Sequence, residues 1–121
     1  MQSKDSRLRV RRIDNITQVE FIDRNILDEG NIQAIAEEIA RLIESDPSPR
    51  LLICFQNVDH LSSAALGALI TINNKVRDRR GQLRLSNIDP QIQEVFAITR
   101  LTKIFQIHET AEEAIRSFKP A

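Results

Sequence analysis

The 121-residue chain has the length of one domain with a single core, and its 17 Lys and Arg residues balance its 17 Asp and Glu residues. This balance gives no overall basic charge for nucleic acid or an anionic membrane, and no apolar run approaches the ~20 residues of a transmembrane helix. The polar first residues lack the apolar segment of a signal peptide, and the single Cys54 has no partner for an internal disulfide. We therefore expect a cytoplasmic protein that binds neither nucleic acid nor a membrane directly.

The first third of the chain predicts a hairpin, a polar loop and a helix. Apolar and polar residues alternate over 8–10 and again over 18–21, which is typical of half-buried strands, and Asp14-Asn15 between them suits a hairpin turn. A polar loop is expected from Asp23 to Gly30. Apolar residues then recur at helical spacing from Ile32 to Ile43, which predicts an amphipathic helix.

The middle of the chain predicts a buried strand, a helix and another strand. The run Leu51 to Phe55 has no polar alternation, as expected for a central strand that is covered on both faces. A helical pattern follows and continues to about Arg80. Gly81 is well placed to end that helix with a left-handed residue. The alternation of Leu83 and Leu85 indicates the next strand.

The last third predicts two short helices around a final strand. Asp89-Pro90 is a favourable helix start, with Asp as the cap and Pro at the first helical position. Residues 104–107 are predicted to form the last strand, and Thr110 to Glu113 match a capping box. The inward-facing residues are expected to be Ile92, Val95 and Phe96 in the third helix, and Ala111, Ala114, Ile115 and Phe118 in the fourth.

The order β-β-α-β-α-β-α-β-α predicts a single α/β domain, in which a mixed sheet of about five strands packs against about four helices. We expect residues 1–6 to be a flexible tail and residues 7–118 to be the domain. The chain has no internal repeat or linker that would divide it.

The segment Asp59-His60-Leu61-Ser62-Ser63-Ala64-Ala65-Leu66-Gly67 places two hydroxyls at the predicted start of the second helix. With the order of elements and the following Leu-x-Leu strand, this segment resembles the STAS domain of anti-sigma factor antagonists. The family signature reads roughly apolar-apolar-Asp-Ser-Ser-Gly-Leu-Gly. Aligning Leu66-Gly67 with its Leu-Gly puts Ser63 on the family's phosphorylated serine and Ser62 on its usual Asp. Ala64 and Ala65 then replace the second Ser and the Gly.

The resemblance implies a regulator that works by switching partners and has no catalytic activity, cofactor or metal of its own. The unmodified protein would bind an anti-sigma factor that is also a serine protein kinase. Phosphorylation of Ser63 would break that complex, and a protein phosphatase would restore it. The loops before the first and second helices are expected at the same end of the sheet, where they would form the partner-binding surface. Its residues would be Asp23, Asp28, Glu29, His60, Ser62 and Ser63.

The residues also permit other interpretations. A serine at a helix start is usually only a cap, and the same fold could serve as a scaffold domain without a switch. Ser63 with His60 could belong to a small α/β hydrolase or transferase, although no Gly-x-Ser-x-Gly elbow surrounds them. His108 has no second ligand at metal spacing, and the three separate glycines offer no phosphate cradle. The sequence does not indicate an oligomeric state.

Overall fold

The computed structural model describes residues 8–22, 25–26 and 29–118. The predicted tail at residues 1–6 lies outside this part of the chain. Seven strands and four α-helices are present in the described residues, with a 3₁₀ turn at Leu101–Lys103. The strands are β1 (Leu8–Ile13), β2 (Ile16–Phe21), β3 (Asn25–Ile26), β4 (Arg50–Cys54), β5 (His60–Leu61), β6 (Gln82–Ser86) and β7 (Gln106–His108). The helices are α1 (Glu29–Glu44), α2 (Ser63–Asp78), α3 (Pro90–Ile98) and α4 (Ala111–Ser117).

The main sheet has five strands in the order β1-β2-β4-β6-β7. The hairpin strands β1 and β2 are antiparallel, and the pairs β2-β4, β4-β6 and β6-β7 are parallel. Asp14 and Asn15 form the hairpin turn with φ values of 49° and 70°. Two successive left-handed residues are what a two-residue hairpin of this twist requires. The predicted mixed sheet with four α-helices is confirmed.

Helices cover both faces of this sheet. The large core lies on the face that packs against α1 and α2, around the buried side chains Val19, Ile53 and Leu85. On the other face, Ala114 of α4 packs against Leu52 and neighbouring side chains. The strand β4 is therefore buried on both faces, as its unbroken apolar sequence predicts. No helix in the described residues is long and apolar enough to cross a membrane.

The chain turns differently from the prediction after α2. Arg80, with φ of 56°, is the left-handed residue, and no glycine in the described residues has a positive φ. Gly81 is needed for a different reason, because a Cβ there would lie 2.2 Å from the carbonyl oxygen of Pro49. The glycine thus permits a close approach of two backbone segments.

Two details of the last third also differ from the prediction. The final strand runs only from Gln106 to His108, because Ile104 and Phe105 belong to the turn after the 3₁₀ segment. In α3, Ile92 and Phe96 are buried, but Val95 is 40% exposed and is not part of the inner face. The two helix starts are confirmed, since Asp89 caps α3 and Thr110 caps α4 through their side-chain oxygens.

Candidate functional site

A second, two-stranded sheet joins the loops that precede α1 and α2. The short strands β3 and β5 are parallel, with Asn25 paired to His60 and Ile26 paired to Leu61. These strands follow β2 and β4 at the carboxyl end of the main sheet. The structure therefore brings the two loops together as neighbours, and the backbone pairing fixes how they lie relative to each other.

The two serines at the start of α2 have different environments. Ser62 is the N-cap, and its side-chain oxygen accepts a hydrogen bond from the backbone N–H of Ala65 at 3.1 Å. Its carbonyl oxygen also accepts the first helical bond, from the N–H of Leu66. Ser63 is the first residue of the helix and is exposed. Within the described part of the chain, the Ser63 hydroxyl makes no hydrogen bond, so it is accessible to a modifying enzyme.

The start of α2 is electrostatically suited to a negative group. The N–H groups of Ser63 and Ala64 come too early in the helix to have intrahelical acceptors, and the helix dipole adds partial positive charge. The first turn of α2 contains no acidic residue that would oppose an added anion. A phosphate on Ser63 would therefore be placed where the helix itself favours negative charge.

An open groove lies beside this helix start. It has a volume of about 210 Å³ and is lined by residues of β5 and the loop before it, and by α3. At its edge, Val95 is 40% exposed, and Ile98 on the same helix is 75% exposed. This contribution of α3 was not predicted from the sequence, although the spacing of Val95 and Ile98 marks a second apolar stripe on that helix. The lining residues are Asp59, His60, Leu61, Gln91, Ile92 and Val95.

The other predicted surface residues are only partly described. Asp23 and Asp28 lie outside the described residues. Glu29 is the first residue of α1, and its side chain is also outside the described part. His60 is an exposed residue of β5 at the groove. The structure thus places His60, Ser62 and Ser63 in one region.

Two further groups considered from the sequence lie elsewhere. Burial raises the pKa of the Cys54 thiol, which lies in β4 and accepts a hydrogen bond from the hydroxyl of Ser86 at 3.2 Å. A thiol with a raised pKa is a poor nucleophile near neutral pH. His108 is the last residue of β7, and no cluster of three or more potential metal ligands exists among the described residues.

Comparison with known proteins identifies the family of this domain. The family model of the STAS domain matches residues 7–114. This chain belongs to the STAS domain family. The resemblance that rested on the Ser62-Ser63 segment and on the order of elements is thereby confirmed.

Individual relatives agree with this membership. One relative is BtrV of Bordetella bronchiseptica, which is provisionally named an anti-sigma factor antagonist. It is 26% identical to this chain over 98 residues, which are 81% of this chain and 84% of BtrV. The structure of an anti-sigma-factor antagonist (STAS) domain protein from Planctomyces limnophilus has a TM-score of 0.82 at 19% identity, covering 91% of this chain and 96% of that chain. SpoIIAA of Bacillus in its phosphorylated form has a TM-score of 0.67 at 18% identity, covering 90% of this chain and 96% of that chain.

Proposed function

We propose that this STAS domain is an anti-sigma factor antagonist that is switched by phosphorylation of Ser63. The unmodified protein binds an anti-sigma factor that is also a serine protein kinase, and phosphorylation of Ser63 releases it. A protein phosphatase then restores the binding form. Because the kinase needs ATP, we place this cycle in the cytoplasm. The observation that carries the proposal is the division of roles at the start of α2, where Ser62 is held as the cap and Ser63 is exposed.

The alignment with the family motif supports the choice of Ser63. Ser62 stands where the family usually has Asp, and Asp and Ser are both favoured N-cap residues. The hydrogen bond from the N–H of Ala65 to Ser62 shows a side chain performing that capping function here. The replacement of Asp by Ser therefore leaves the local geometry around Ser63 available for the same modification. SpoIIAA, a protein of the same fold, is named as an anti-sigma factor antagonist and has structures in phosphorylated and unphosphorylated forms.

A phosphate on Ser63 would act on the binding surface and leave the fold intact. It adds about −1.5 to −2 charges and three acceptor oxygens at a helix start that tolerates them. The groove, with the exposed side chain of Val95 in its wall, lies on the adjoining surface, and Ile98 is exposed three residues further along α3. A partner that covers apolar α3 side chains would have to remove water from the nearby phosphate, which is costly. Phosphorylation would therefore weaken the complex without unfolding either partner.

The first test locates the modification. The chain is incubated with ATP and with a candidate anti-sigma-type serine kinase, and the products are mapped by mass spectrometry. We expect phosphate on Ser63 and none on the Ser63→Ala variant. Ser62→Ala is the matched control and should still be phosphorylated. Phosphate that persists in Ser63→Ala and disappears in Ser62→Ala would show that Ser62 is the acceptor.

The second test measures the consequence by titrating both forms against the kinase in a calorimeter. Full phosphorylation should weaken binding by at least about tenfold, which corresponds to about 1.4 kcal/mol. Ser63→Asp should weaken it less, because Asp carries one charge and is shorter. Equal affinities of the two forms would contradict the switch and favour the alternative of a scaffold domain.

The hydrolase or transferase alternative receives less support. A serine nucleophile is activated by a base within hydrogen-bond reach. Ser63 makes no such bond to any residue that the structure describes, and His60 is exposed on a separate strand. In our proposal the chain has no catalytic activity of its own. Turnover of a model ester by the purified chain, abolished in Ser63→Ala, would favour the enzyme instead.

A further inference from the structure

A second cavity lies at the opposite end of α2 from Ser63. It is open to solvent, has a volume of about 300 Å³ and is lined by the last turns of α2 and by the beginnings of β6 and β7. Asn73, one of its lining residues, is ten positions beyond Ser63, or about 15 Å along the helix. The cavity is therefore separate from the proposed phosphorylation site. Its volume is at the lower limit of the roughly 300–1,000 Å³ that is usual for small-molecule pockets.

The side chain of Asn73 is the unusual feature of this cavity. Asn73 is only 7% exposed, and its amide makes no hydrogen bond to any residue in the described part of the chain. The Asn73 amide is not enclosed by protein, since Nε2 of His108 is the one buried side-chain nitrogen or oxygen among the described residues that lacks a hydrogen-bond partner. The amide therefore opens into the cavity, where a ligand can bond to it. In contrast, side-chain hydrogen bonds are present at the other buried polar residues of the described chain, namely Thr17, Gln18, Arg84 and Ser86.

A single free guanidinium accompanies this amide. Arg77 also lines the cavity, and it lies one helical turn after Asn73, on the same side of α2. Arg84 lines it as well, but the guanidinium of Arg84 is bonded to Ser117 on the other face of the sheet. None of the described lining residues is acidic. The cavity therefore offers amide and guanidinium donors to an anion.

Apolar side chains form the remaining wall. Leu83 lines the cavity from β6, and Ile104, which is 46% exposed, lines it from the turn before β7. One guanidinium balances one negative charge, and its two parallel N–H groups match the two oxygens of a carboxylate. The aliphatic wall suits a short alkyl chain attached to that group.

We infer that this cavity binds a small aliphatic carboxylate, with Arg77 and the amide of Asn73 on the carboxylate and with Leu83 and Ile104 on the alkyl chain. The site is independent of Ser63 and of the proposed switch. Both donors come from α2, which holds them at a fixed spacing.

The inference is tested by NMR titration of the whole ¹⁵N-labelled chain with butyrate as the probe. The side-chain NH₂ signals of Asn73 should shift and saturate at roughly millimolar butyrate. Butyramide has the same size without the charge and should not shift them. Non-saturable shifts, or equal shifts with butyramide, would overturn the inference. Tighter binding of inorganic phosphate than of butyrate would overturn the assignment to a carboxylate.

Matched variants separate a built site from a basic surface. Arg77→Gln should weaken butyrate binding by at least about tenfold, since it removes the charge and keeps the length. Arg79→Gln is the control, because Arg79 is exposed, lies two residues away and does not line this cavity. Equal losses in both variants would mean unspecific attraction to the basic helix end and would overturn the proposal. Asn73→Leu should abolish butyrate binding while keeping the fold. If this variant does not fold, the comparison of Arg77→Gln with Arg79→Gln still tests the proposal.

Discussion

The side-chain oxygen of Ser62 accepts a hydrogen bond from the backbone N–H of Ala65 at 3.1 Å, which makes Ser62 the N-cap of α2. This bond satisfies one of the N–H groups that every helix start leaves without an intrahelical acceptor. Ser63, one residue later, is exposed and contributes nothing to the cap. The two hydroxyls are adjacent in sequence, yet only the first has a structural task.

Stability measurements should distinguish the two serines. Ser62→Ala should lower the free energy of unfolding by about 1 kcal/mol, because the N–H of Ala65 loses its acceptor. Ser63→Ala should change it by less than about 0.5 kcal/mol, as is usual for an exposed position. Ser62→Asp should have nearly the same free energy of unfolding as the natural protein, because Asp and Ser are about equally favourable at the N-cap. Chemical denaturation of the three variants checks this. A larger loss in Ser63→Ala than in Ser62→Ala would refute the cap assignment.

The regular elements were predictable because their signals are long. The helices α1 and α2 each present several turns of apolar periodicity, and β4 is an unbroken apolar run. The pair of β3 and β5 was not predicted, because a strand of two residues has no measurable period. Its existence depends on two loops that are far apart in the sequence and lie side by side only in the folded domain.

The candidate site was predictable in part for a related reason. A helix cap is a local feature, so Ser62 and Ser63 could be placed at the start of α2 from neighbouring residues alone. The exposure of Val95 depends on how α3 packs, and the sequence alone assigned that residue to the inner face. A helix of nine residues has too few apolar positions to define which stripe faces inward.

Gly81 and Gly67 should respond in opposite directions to alanine. At Gly81 a Cβ would lie 2.2 Å from the carbonyl oxygen of Pro49, and this oxygen already accepts a hydrogen bond from the N–H of Gln82. Gly81→Ala must therefore displace backbone, and we expect a loss of about 1–3 kcal/mol. At Gly67, inside α2, nothing lies within 4 Å of a Cβ, so Gly67→Ala should gain about 0.5–1 kcal/mol. Thermal or chemical denaturation of both variants shows whether each substitution lowers or raises the stability. A gain in Gly81→Ala would show that the approach to Pro49 is not rigid.

Arg84 is predicted to attach α4 to the sheet. Its buried guanidinium donates hydrogen bonds to the side-chain and backbone oxygens of Ser117, at 2.9 and 3.3 Å, and lies 5.0 Å from the ring centre of Phe118. Burial lowers the pKa of Arg84. The ordinary pKa of arginine lies so far above neutral pH that the guanidinium still stays charged. Arg84→Ala should destabilise the protein by about 2–4 kcal/mol, because it removes charged hydrogen bonds and packing together.

Hydrogen exchange tests which part of the protein Arg84 stabilises. In Arg84→Ala the amides of α4 should lose more protection than those of α2. Arg84→Lys is the matched control, because lysine keeps the charge but cannot reproduce the planar fork of donors, so it should recover only part of the stability. Full recovery by lysine would mean that charge alone attaches α4.

The stability of the fold should fall in alkaline solution because of Cys54. Burial is the main cause that raises the pKa of this thiol, and the hydrogen bond from Ser86 opposes the shift only in part. In the unfolded chain the thiol ionises at its usual pKa of about 8.5, while in the folded protein it keeps its proton to higher pH. The unfolded state therefore binds fewer protons than the folded state above about pH 8.5, and stability declines as pH rises through the folded pKa. Below the unfolded pKa the two states are equally protonated, so this decline is absent there.

Cys54→Ala isolates this contribution, because every other titrating group remains in both proteins. The free energy of unfolding is measured by urea denaturation at several pH values from neutral to about 10.5, with reductant present. The natural protein should lose stability more steeply than Cys54→Ala above about pH 8.5, and the two slopes should agree at neutral pH. Native protein at neutral pH should also react slowly with a thiol reagent, at a rate that rises in denaturant. Equal slopes across the alkaline range would mean that the thiol ionises as readily in the folded protein as in the unfolded chain.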